Sequence, residues 1–77
     1  MSQAGVRFDE FYQSNLSRAI MCIRRYLHRE QDVEEATQEW GMRLLRKFDQ
    51  VRTTDEPKKY AMKMARNIAL DLSLIHI

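Results

Sequence analysis

The 77-residue chain has one cysteine, one proline and two glycines, and each scarcity closes off a class of protein. Cys22 alone cannot form an intramolecular disulfide, and with only His28 and His76 beside it no four-ligand zinc site can be assembled. So few glycines and prolines leave little turn chemistry, which predicts few and long elements. The longest uninterrupted apolar run, Ala19 to Ile23, is far short of the roughly 20 residues of a spanning helix. Met1 to Arg7 has neither the basic start nor the apolar stretch of a signal peptide. The expectation is therefore a reduced, cytoplasmic setting with no membrane contact.

What is present is globular. Apolar residues make up 44% and charged residues 31%, too hydrophobic for a disordered chain. At 9.3 kDa the core is small, and ordering the chain costs roughly 1.5 kcal/mol per residue, which nearly cancels what such a core returns. The net charge of +2 is unevenly placed. Residues 1–30 carry five basic and three acidic side chains, residues 31–50 three and five, and residues 51–77 five and three. An acidic centre between basic flanks can show surfaces of opposite sign to different partners.

Hydrophobic spacing is helical throughout, with no strand-type alternation and no repeat. Phe8, Phe11, Tyr12, Leu16, Ala19, Ile20, Ile23 and Leu27 mark a first helix over about Asp9 to Leu27. Asp32 is placed to cap a second, with Glu35 completing a capping box. Val33, Ala36, Thr37, Trp40, Leu44 and Phe48 form its inner stripe. Arg52 to Glu56 is expected to be a loop, and Pro57 suits the first turn of a third helix. Its inner face is Ala61, Met64, Ala65, Ile68 and Leu72. The predicted fold is all-α, a compact three-helix bundle over residues 8–72, with a disordered segment at 1–7.

The outer faces carry the functional candidates. On the second helix Glu35, Gln38, Glu39, Met42 and Arg46 lie opposite the core stripe, with Leu45 at the edge. A methionine framed by carboxylates and an amide suits protein docking, because it supplies adaptable apolar contact; the plainer reading is a solvated face. On the third helix Lys59, Lys63 and Arg66 share the outer arc, Tyr60 and Asn67 border it, and Lys58 stands at the entrance. Cations for phosphate, a ring for stacking and an amide for base edges suit nucleic acid; a lysine-rich solvated surface is again the plainer reading. His28 reads as a solvated helix-end residue and Cys22 as packing. Glu34, Glu35 and Glu39 lack a His or Asp at ligand spacing. No phosphate loop, nucleophile elbow or acid–base pair is present, so neither an enzyme nor a metal or cofactor is expected.

Two motifs in order add a resemblance. Asp32-Val33-Glu34-Glu35-Ala36-Thr37-Gln38-Glu39, continuing through Met42-Arg43-Leu44, resembles the Asp-Ala-Glu-Asp-x-x-Gln-Glu motif of bacterial sigma factors. About 20 residues later, Tyr60 to Asp71 resembles the aromatic-x-x-x-x-Ala-Arg-Asn-x-x-Leu-Asp motif, and Phe8-Asp9-Glu10-Phe11-Tyr12 is similar to the start of the same domain. Together they resemble region 2 of the sigma-70 family, most of all its extracytoplasmic-function (ECF) group.

The resemblance implies a bacterial transcription initiation factor domain, a three-helix bundle that binds core RNA polymerase and promoter DNA. Glu35, Gln38, Glu39 and Met42 would dock on the clamp helices of the beta-prime subunit. Lys58, Lys59, Tyr60, Lys63, Arg66 and Asn67 would recognise the minus-ten element and hold its melted non-template strand. An anti-sigma factor is a further implied partner. The competing expectation is a sigma-like interaction bundle that binds polymerase or an anti-sigma factor without opening DNA. Gly41 stands where the family has a bulky apolar residue, and Leu45 where it often has tryptophan. Ser73 to Ile77 replaces the expected basic continuation by an apolar tail, read as a truncation or artefact. No segment matches the family's minus-35-binding domain, so the expectation is a fragment of a longer factor.

Overall fold

The computed structural model describes residues 7–75. Four helices follow one another: α1 (Phe8–Arg24), α2 (Glu30–Arg46), α3 (Phe48–Thr53) and α4 (Pro57–Ile75). The all-α expectation holds, with four helices among the described residues rather than three. Apart from Arg7, which is extended at the head of α1, the expected disordered segment lies outside the described residues, as do His76 and Ile77.

The long helices α1, α2 and α4 pack on one another pairwise. Their shared core is built from the stripes the periodicity marks: Phe11, Ala19, Ile23 and Leu27; Val33, Ala36, Trp40 and Leu44; Ala61, Met64, Ala65, Ile68 and Leu72, now joined by Ala69. Alanines at 19, 36, 61, 65 and 69 are all fully buried, and side chains this small let helix backbones approach closely. Trp40 fills the centre. It is 0% exposed, its Nε1 donates to the Ala61 carbonyl at 2.9 Å, and the Tyr12 ring stacks on it at 5.4 Å. Tyr12 can lie there because Gly41 has no side chain. A Cβ at Gly41 would come within 3.1 Å of Tyr12 Cε1, so the space beside Gly41 is filled here from α1.

Three local expectations need correction. First, Asp32 does not cap α2. The cap residue is Arg29, extended at φ −83°, ψ 131°, and its carbonyl accepts from the amides of Asp32 and Val33 at 3.0 Å each. The helix thus begins three residues early and buries Asp32 in its first turn, where the dipole favours a carboxylate. Second, α1 ends at Arg24, although Leu27 still bonds back to Ile23 and stays buried. Arg24 then makes a two-pronged pair with Glu30, at 2.9 and 2.8 Å, across the connection. This pair holds the Glu30 carboxylate below its usual range. Its small contribution to folding is present above the ordinary carboxylate pKa and is lost as pH falls through the lowered value.

Third, Phe48 belongs to α3, not to the end of α2. Lys47 leaves the helical region at φ −106°, ψ 14°. The turned chain brings Phe48 edge-on to Phe8 at 5.4 Å and beside Phe11 at 5.7 Å, and buries Val51 completely. The Thr53 and Thr54 hydroxyls bond back to the carbonyls of Asp49, Gln50 and Val51, competing with helix continuation as threonines do. The loop before α4 therefore shortens to Thr54–Glu56.

Candidate polymerase-docking and nucleic-acid surfaces

The seam between α2 and α4 positions both sets of candidates. Arg43 of α2 and Lys47 just beyond its end face 60–67 of α4, and residues 35–43 face 68–75, so the helices run antiparallel. Two grooves lie end to end along this seam and share Arg43.

The first groove, of about 320 Å³, gathers all four docking candidates. Glu35, Gln38, Glu39 and Met42 form its α2 wall, opposite Ile68, Asp71, Leu72 and Ile75 of α4. Met42 is 56% exposed. Glu39 is held by Arg43 at 3.0 Å and, more loosely, by Arg46 at 3.8 Å. The surface is an apolar strip, Met42 with Leu72 and Ile75, edged by carboxylates. Ile75 is a residue that sequence reasoning consigns to an uninvolved tail. Leu74 and Ile75 do remain largely exposed, so deleting residues 73–77 is expected to leave the melting temperature nearly unchanged in a circular dichroism melt. A drop of more than about 4 °C, the equivalent of about 1 kcal/mol in a domain this small, would show that the tail is part of the packed fold.

The second groove, of about 360 Å³, gathers only part of the nucleic-acid set. Tyr60, Lys63 and Asn67 line it from α4, with Met64 beneath, while Arg43 and Lys47 close it from α2. Tyr60 is half-buried, its body packed on the core cluster. Lys59 and Arg66 are exposed on the outer arc of α4, with Lys59 4.0 Å from Glu56. Lys58 is not brought to this face. Two positions before Tyr60, at about 100° per residue, it turns away and lines a separate groove with Glu10, Ser14 and Asn15.

Two features escape sequence reasoning. Arg43 and Lys47 are not among the sequence candidates, and nothing in their spacing reveals that they face Tyr60. Asn15 is buried at 2% exposure, its Nδ2 donating to the Phe11 carbonyl at 2.8 Å; its place in the apolar register of α1, four residues beyond Phe11 and four before Ala19, is the signal that could have found it. Among the described residues no group of His, Cys, Asp or Glu is arranged to hold a metal ion, and no helix is long and apolar enough to cross a membrane.

Among curated proteins and solved structures, none matches the chain. The family model for Sigma-70 region 2, a transcription initiation factor domain and not a known enzyme family, matches residues 11–73. That span covers both motifs and every lining residue of the two grooves except Ile75, and the chain therefore belongs to the sigma-70 region 2 family.

Proposed function

We propose that this domain docks on core RNA polymerase through one end of the α2–α4 seam and handles melted promoter DNA at the other, as an ECF-type initiation factor acting in the cytoplasm. The observation that carries the reading is the division of one seam into two chemically distinct grooves. Glu35, Gln38, Glu39 and Met42 offer carboxylates around an apolar anchor, the combination that steers and seats a cationic helical partner; the beta-prime clamp helices fit that description. Tyr60 offers a π-surface to an unstacked base, Lys63 a cation to phosphate and Asn67 an amide to base edges. Lys59 and Arg66 add cations on the adjoining arc. An anti-sigma factor would compete for the first groove. The chemistry is binding and strand capture, with no bond made or broken.

Docking is tested on Glu39. Reversing it to Lys is expected to weaken binding to core polymerase by more than about 1 kcal/mol, as loss of a docked charge with like-charge repulsion requires, while helicity is retained. A titration of labelled chain with core polymerase reads this directly. Unchanged affinity would remove the polymerase role from this face.

A further inference from the structure

The nucleic-acid role falls on α4 by motif, yet the groove beside Tyr60 has a second wall. Arg43 and Lys47, from the last turn of α2 and the residue that ends it, face Tyr60, Lys63 and Asn67 across about 360 Å³, a volume within the range of small-ligand sites. Three cations thus converge from two helices on one ring and one amide. Among the described residues, neither Lys47 nor Lys63 has a carboxylate within 4.0 Å, and Arg43 pairs only with Glu39, through Nη2. On the outer arc Lys59 shares a separate groove with Tyr60 and Lys63, but Asp55 and Glu56 line that groove too and Lys59 leans toward Glu56 at 4.0 Å. Arg66 lines neither groove.

We infer that a single strand runs along the α2–α4 groove rather than over the outer arc of α4, with a base on Tyr60 and its flanking phosphates held between Arg43 and Lys47 on one wall and Lys63 on the other. This rests on the nucleic-acid reading of α4 and assigns two phosphate contacts to α2. The route follows from physical chemistry. A base stacked on a half-buried ring brings its phosphates to within a side chain's length of both walls, and cations unpaired with carboxylates need surrender no ion pair to accept them. The guanidinium of Arg43 presents further N–H donors beyond the Nη2 that Glu39 engages, which suits phosphate.

The test is a titration of the 77-residue chain with a fluorescently labelled single-stranded oligodeoxynucleotide, read by anisotropy from about 50 to about 200 mM salt. Each phosphate contact to a single strand contributes about 0.7 to the slope of log affinity against log salt. Lys47→Gln and Arg43→Gln are each expected to lower the slope by about that amount, as is Lys63→Gln. Arg18→Gln, which removes a charge on α1 outside the groove, should leave it unchanged. Arg43→Gln also breaks the pair with Glu39, so Lys47→Gln, which breaks no ion pair, keeps the result independent of folding. A slope that falls for Lys63→Gln but not for Lys47→Gln or Arg43→Gln overturns the α2 wall and leaves the nucleic-acid reading intact. A wild-type chain that does not bind, or one that Lys63→Gln leaves unaltered, overturns the nucleic-acid reading and the α2 wall together.

Discussion

Trp40→Ala is expected to cost about 3–5 kcal/mol of folding stability. The side chain is fully buried where α1, α2 and α4 meet, stacked with Tyr12 and hydrogen-bonded to α4 through the Ala61 carbonyl. Truncation empties the largest volume in the core and removes a tie between two helices. A chain of 77 residues has roughly 4–12 kcal/mol in total, at about 0.05–0.15 kcal/mol per residue, so the loss takes about a quarter of it or more. At about 4 °C or more per kcal/mol in a domain this small, the melting temperature should fall by more than about 12 °C. Trp40→Phe, which keeps much of the ring volume and gives up the indole hydrogen bond, is expected to cost markedly less. Circular dichroism melts of the three proteins decide the matter. A cooperative Trp40→Ala transition within a few degrees of wild type would mean that Trp40 is not the centre of the core.

Tyr60→Ala is expected to cost about 1–3 kcal/mol of affinity for single-stranded minus-ten DNA, the worth of one stacked base. The ring is placed for this. Its body packs on the core cluster while it also lines the groove with Lys63 and Asn67, so its orientation is fixed before a base arrives. Lys63→Ala should behave differently, weakening binding to all sequences and flattening its salt dependence, because a phosphate contact carries no base information. The two effects separate stacking from charge in one titration series. Equal losses for every sequence in both variants would argue that Tyr60 is a packing residue only.

The three long helices are legible in the sequence because each stripe repeats over three or more turns, long enough for a 3.6-residue period to be unmistakable. The short helix α3 is not, since six residues offer only Phe48 and Val51 as a pattern, and Phe48 packs on Phe8 and Phe11 from a distant part of the chain. The start of α2 is missed for a related reason. Asp32 and Glu35 have cap chemistry, but Arg29 supplies the cap through its backbone alone, leaving no side-chain signature.

On the site, the docking strip is legible because its four residues share one helix face, and a face is fixed by spacing. The nucleic-acid groove is only half legible. Tyr60, Lys63 and Asn67 share a face of α4, whereas Arg43 and Lys47 join them through the way α2 and α4 pack, a long-range property that no local pattern encodes. Lys58 illustrates the opposite error. Its charge suggests membership, but two residues of helical rotation carry it round to α1, and the period alone would have excluded it.

The most direct measurement is promoter opening. Core polymerase is combined with this chain on a promoter carrying a fluorescent base in the minus-ten element, and melting is followed as the base unstacks. Wild type is expected to open the element, with Tyr60→Ala and Lys63→Ala each clearly reduced although both still bind polymerase. Equal opening by all three proteins would contradict the strand-capture role and leave a bundle that binds polymerase without handling DNA.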